Sequence, residues 1–206
     1  MTTATSHSAS ATSFPFEFAP SATQDRDLLR QLNLVPGVKE ILLTRQVHAL
    51  EHATVWVLSE WANGGAISGS EDRLGGMSTA TGFYLYGRVH TSRLRQAVQT
   101  AQQRLTGGEW HLAVHPRCGT NLSVGMLLTG GLAMGITLAL PKGPIEQLLG
   151  LGVAAGVATQ LAPELGSWAQ RYLTTAIPFN LQVDEISIVQ DLWGRSAHFV
   201  QVHWVE

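Results

Sequence analysis

From Leu122 to Leu140 the chain carries no charged residue, and its only polar side chains are Ser and Thr hydroxyls. About 20 apolar residues in a helix match the hydrocarbon thickness of a bilayer, and a soluble core seldom needs so long a charge-free run. Pro141-Lys142-Gly143-Pro144 then reads as a turn, and Leu148 to Ala162 is apolar again but shorter. The pattern predicts a transmembrane helical hairpin. Gly131 with Gly135, and Gly152 with Gly156, have the G-x-x-x-G spacing that predicts closely approaching helix backbones. The competing reading is a glycine-rich hairpin buried inside a soluble α+β protein.

Composition agrees with the membrane reading. Charged residues are 14% of 206, well below the usual quarter, and 21 residues are glycine. The net charge of −2 offers no basic footprint, so a nucleic-acid partner is not expected. A single cysteine rules out an internal disulfide and points to a reducing compartment or a functional thiol.

The rest of the chain reads as a small α+β body. Residues 1–24 are Ser-, Thr- and Ala-rich and read as a disordered tail; without a basic start or an apolar segment they do not resemble a signal peptide. A helix is expected from Pro36 to Trp61, with Leu43, Val47, Leu50, Val57 and Trp61 on one stripe and the second half apolar nearly all round. Residues 64–80 read as a loop and Thr81 to Tyr86 as a strand. Ser92 to Leu105 reads as an amphipathic helix. Glu109 to His115 alternates and reads as a second strand, with His111 and His115 on one side. Gln182 to Gln190 and Ala197 to Val205 are expected to pair across Trp193-Gly194. The expected fold class is therefore α+β: a helix/strand body with an inserted membrane hairpin and a C-terminal strand pair. Its divisions are 25–120 for the body, 121–165 for the hairpin and 166–206 for a C-terminal segment packing back on the body.

Two clusters carry chemistry. His48-Ala49-Leu50-Glu51-His52 is an H-x-x-E-H run on the first long helix. Residues three and four apart share a helix face, so two imidazoles can meet one metal ion with a carboxylate beside them, the inverzincin order. The second cluster, His115-Pro116-Arg117-Cys118-Gly119-Thr120, stands just before the apolar run. A catalytic zinc takes three protein ligands and an open position. His48 and His52 are two; His115 is the first choice for the third and Cys118 a close second. If all four bind, the open position is lost and the metal is structural. Glu51 is the expected general base and Arg117 the expected oxyanion or anion partner. The plainer reading makes the histidines ordinary helix residues and Cys118 a small buried one.

These residues resemble the bacterial YqhQ-like family of predicted metal-dependent membrane proteins. That family carries a His-x-x-Glu-His-Lys-Thr stretch, here His48 to Thr54 with Ala53 in place of the lysine. It also carries a His-Pro-Arg-Cys-Gly-Thr-Ser stretch, here His115 to Asn121. A Gln-x-Leu-Thr-Thr stretch after its membrane region is similar to Gln170-Arg171-Tyr172-Leu173-Thr174-Thr175, which has one extra residue before the leucine. The resemblance covers roughly residues 45–188. The family's glycine-rich N-terminal region has no counterpart, so the chain reads as a shortened, diverged member. The resemblance implies that His48, Glu51, His52, His115, Arg117 and Cys118 form one site.

The sequence-level expectation is a membrane-anchored zinc, or other divalent-metal, hydrolase of peptidase-like character. Arg117 before the hairpin and Arg171 after it place the body on the cytoplasmic side by the positive-inside rule. Lipid is the expected partner and a membrane protein the expected substrate or partner, with no oligomeric state implied. The rival is a non-catalytic membrane assembly or scaffold protein with a structural metal or His/Cys cluster.

Overall fold

The computed structural model describes residues 20–32, 34–64, 74–139, 143–191 and 193–205. The chain is a mixed helix and strand fold with a four-stranded antiparallel sheet and two long apolar helices. A short helix, α1 (Gln24–Gln31), leads into α2 (Val38–Gly64), the longest helix of the body. The hairpin β1 (Gly75–Thr79) and β2 (Gly82–Tyr86) follows, then α3 (Thr91–Thr106). A single 3-10 turn, Trp110–Ala113, precedes α4 (Gly119–Ala139) and α5 (Pro144–Ala169). A π-helical turn, Gln170–Thr174, ends α5, and β3 (Leu181–Gln190) and β4 (Ser196–Trp204) close the chain.

The sheet order is β1-β2-β4-β3, so the C-terminal strand pair joins the body through β4 against β2. One sheet face is apolar because alternate residues point the same way: Phe83 and Leu85 of β2 lie beside Val200 and Val202 of β4. Helices α2 and α3 cover that face with Val47, Leu50, Val57, Leu58, Leu94, Val98 and Leu105. The second half of α2 is buried almost all round, as its composition predicts.

Helix α4 has 21 residues, about 31 Å at 1.5 Å per residue. Both α4 and the segment Pro144–Thr174 are long and apolar enough to cross a membrane. No residue of α4 is buried, and Leu127 and Leu138 are 76% and 80% exposed. The buried-hairpin alternative thus finds no support: this apolar surface meets nothing else in the described chain.

Several expectations need correction. Of the tail expected over 1–24, residues 1–19 lie outside the described residues, and Gln24 already opens α1. Of the loop expected over 64–80, residues 65–73 lie outside them, and Gly75–Thr79 is strand β1. Only Thr79 of that strand favours strand structure; it forms because a two-residue turn folds it onto β2, where Gly82 takes a φ of +148° against the Val200 carbonyl. Residues 140–142 of the expected interhelical turn are also outside. The strand expected at Glu109–His115 is the 3-10 turn instead. Side chains of α2 claim its carbonyls: His52 Nδ1 donates to Ala113 O at 2.7 Å and Trp56 Nε1 to Val114 O at 3.0 Å. His111 is consequently exposed while His115 is buried, rather than the two sharing a strand face. Close helix approach does not occur at the G-x-x-x-G glycines, where an added Cβ would meet nothing within 4 Å. It occurs nearer the base, at Gly125 against Ala162 and at Gly166 against Asn121.

Candidate metal centre

The α-helical spacing of His48 and His52 brings their rings together, with centroids 4.3 Å apart and planes tilted by 60°. Each ring is held by a backbone carbonyl. His48 Nδ1 lies 3.0 Å from Thr174 O, and His52 Nδ1 2.7 Å from Ala113 O. A carbonyl only accepts, so each Nδ1 carries a proton and each Nε2 is turned to the site. Such outer contacts orient metal-binding imidazoles and fix their tautomer. The π turn after α5 supplies one carbonyl and the 3-10 turn the other, which gives both irregular segments a task at the site.

Cys118 completes the group. It stands one residue before α4, and its Sγ is 3.3 Å from His48 Nε2. The ligand atoms of His48, His52 and Cys118 all lie within 4.8 Å of one another. Tetrahedral zinc with ordinary Zn–N and Zn–S bonds separates such atoms by about 3.4–3.6 Å, so the group is near ligand spacing. Burial pushes the Cys118 thiol up, but hydrogen bonding with His52 and with Thr120 outweighs it and holds the pKa below the ordinary thiol value.

Glu51, His115 and Arg117 line the same cleft, about 160 Å³ in volume, without joining that group. Burial raises the Glu51 pKa against the lowering influences of Ser78 and His48; Ser78 Oγ donates to Glu51 Oε2 at 2.8 Å. The backbone of β1 closes over this carboxylate so tightly that a Cβ at Gly76 would run into it. His115 packs 5.1 Å from the Trp56 ring and 5.7 Å from the His52 ring, centroid to centroid. Its Nδ1 accepts the Arg117 backbone N–H at 3.3 Å. Burial first, then His52 and Arg117, push its pKa down to about 4, so it is neutral at pH 7. The structure therefore groups Cys118 with the two helix histidines and sets His115 beside them.

Sequence reasoning did not single out the residues that hold this arrangement. The amide of Gln170, wholly buried, accepts the His115 N–H at 2.8 Å and donates to Asn121 Oδ1 at 2.7 Å. Asn121 Nδ2 in turn donates to Pro116 O at 2.9 Å. Arg45 Nη2 donates to the carbonyls of Tyr172 and Thr175. These bonds tie the His115–Cys118 loop and the end of α5 to α2. The one available signal was that Gln170 and Thr174 fall inside the Gln-to-Thr stretch noted above.

An uncharacterised protein of Picosynechococcus sp. is 52% identical over 189 residues, covering 91% of this chain and 92% of its own. No solved structure matches. The model of DUF6391, a domain of unknown function, matches residues 43–186, which take in most of α2, the hairpin and the first part of β3. The chain belongs to the DUF6391 family.

Proposed function

We propose that this protein is a membrane-anchored, metal-dependent hydrolase of peptidase-like character. In this reading His48 Nε2, His52 Nε2 and Cys118 Sγ hold zinc or another divalent ion. The observation that carries it is the convergence of those three atoms, with both histidine tautomers set by backbone carbonyls. Three protein donors leave room for the open position that a catalytic metal needs. The ion supplies an acidified water and a Lewis acid for a carbonyl oxygen. Glu51 takes a proton from the attacking water and passes it to the leaving nitrogen; burial raises its pKa, which makes it a stronger base for that exchange. Arg117, on the cleft rim, stabilises negative charge developing on substrate oxygen. The hairpin crosses the membrane, and Arg117 and Arg171 at its base keep the body in the cytoplasm. The similarity to YqhQ-like sequences in both His-containing stretches is in keeping with a metal site.

Metal analysis of freshly purified protein in detergent tests this. About one zinc or other divalent ion per chain is expected, lost in the His48→Ala, His52→Ala double variant. Absence of metal from the fresh protein would overturn the proposal. Glu51→Gln should keep metal and fold while slowing hydrolysis of unfolded casein by about 100-fold or more. One observation favours a second reading, a scaffold protein with a structural metal: His115 lines the same cleft, its ring 5.7 Å from that of His52, as a candidate fourth ligand. Bound metal with no hydrolysis by the parent chain selects that reading.

A further inference from the structure

The outer edge of β1 lies beside the cleft. In the β1–β2 hairpin, Thr79 pairs with Gly82 across a two-residue turn, so the pairs Gly75–Tyr86, Met77–Tyr84 and Thr79–Gly82 exchange the ladder hydrogen bonds. The other side of β2 agrees with this phase: Thr81 O accepts from Val202 N at 3.0 Å, so odd-numbered residues there face β4. The N–H and C=O groups of Gly76 and Ser78 must then point away from β2. Among the described residues no strand pairs with that edge.

What lies next to it is a groove of about 630 Å³. One wall is Gly76, Met77 and Ser78; the other is the start of α4 with Leu173 and Thr174. Its floor is α2, where Ile41 leads to His48 and Glu51. Ile41 and Leu173 are 61% and 58% exposed, leaving apolar side chains uncovered beside unpaired backbone groups. Unpaired edge amides recognise another main chain, and adjacent apolar surface accommodates its alternate side chains.

We infer that the groove binds an extended polypeptide segment, which adds as a strand to the outer edge of β1 and lies across Glu51, His48 and Cys118. This names the substrate class of the hydrolase proposed above, and it rests on that reading for cleavage but not for binding. Recognition runs through Gly76 and Ser78 backbone, so it tolerates varied sequence. Gly76 has a double part: lacking a side chain, it lets the edge sit against the Glu51 carboxylate.

Hydrogen exchange tests it in the full-length Glu51→Gln protein in detergent, with reduced and carboxymethylated α-lactalbumin as an unfolded probe chain. The Gly76 and Ser78 amides should exchange quickly in the free protein and at least tenfold more slowly with the probe bound. In the same background Ser78→Pro, which removes an outward N–H, should abolish protection elsewhere in residues 74–80. Ser78→Ala, which keeps that N–H and loses only the hydroxyl, should retain it. Unchanged exchange with the probe overturns the inference, and so does slow exchange without it, since the chain then covers its own edge. Metal content reads the hydrolase proposal separately: metal without protection defeats the edge site alone, and protection without metal defeats the metal reading alone.

Discussion

Helices α2 and α4 are both long and mostly apolar, yet they sit in opposite surroundings. Helix α2 is enclosed by α3 and the sheet; α4 buries none of its residues. Their polar side chains differ in the same sense. On α2, Gln46, His48, Glu51, His52 and Trp56 all bond to residues distant in sequence. On α4, only the first turn does so, through Thr120 and Asn121; beyond it Ser123, Thr129 and Thr137 each bond the carbonyl four residues back in the same helix. A helix in hydrocarbon must satisfy its polar groups internally, whereas a helix inside a protein can use them to position other segments. The difference teaches that α2 uses its polar side chains to hold other segments in place, while the hairpin keeps an apolar surface long enough to cross a membrane.

The largest effect that can break this comparison is a paired truncation. Leu50 lies wholly buried in the body core, so Leu50→Ala should cost about 2–5 kcal/mol through lost burial and a cavity. Leu127 touches no buried cluster, so Leu127→Ala should cost only about 0.5 kcal/mol in a bilayer. Urea unfolding in detergent micelles, followed through the tryptophans, measures both. Equal costs would mean that the hairpin packs into a protein core after all.

The same contrast explains what could be read from sequence. The hairpin was legible because its signal is length without charge, which needs no tertiary knowledge. The pairing of His48 with His52 was legible because helical spacing alone sets it. His115 was harder. Its place depends on whether Glu109–Ala113 is a strand or a turn, and long-range bonds from His52 and Trp56 decide that against the local alternation. Strand β1 was hidden for a related reason: in Gly75-Gly76-Met77-Ser78-Thr79 only Thr79 favours a strand, and Gly76 is needed for the approach of Glu51 rather than for a loop. The glycine pattern of the hairpin gave the wrong contact points because spacing says which glycines share a face, not which face meets the partner helix.

Glycines supply the next test. Gly76→Ala places a methyl group on the Glu51 carboxylate, where backbone strand and buried side chain both resist movement. A loss of about 1–3 kcal/mol is expected. Gly131→Ala meets open space and should be neutral or gain up to about 1 kcal/mol from helix propensity. Thermal unfolding of the two variants side by side measures the difference; a destabilising Gly131→Ala would restore the G-x-x-x-G contact as a real interface.

Acid should act on the body before the hairpin, and the smallest predicted effect comes from one carboxylate. Asp191 directly follows β3, with its side chain wholly enclosed. Burial opposes its charge, but Arg195 and Tyr86 with the Trp193 and Arg195 backbone amides outweigh it and hold the pKa down to about 2. A folded-state pKa below the unfolded carboxylate value near 4 means the stabilisation is complete above about pH 4. It is lost as pH falls from there through about 2. Asp191→Asn removes that dependence, so the stability gap between parent and variant should be constant above pH 5 and shrink towards pH 2. Helix α4 holds no titratable side chain, so its helical circular dichroism in micelles should persist across that range while the sheet signal fades. Loss of both together would show that the hairpin depends on the body for its helicity and not only on the membrane.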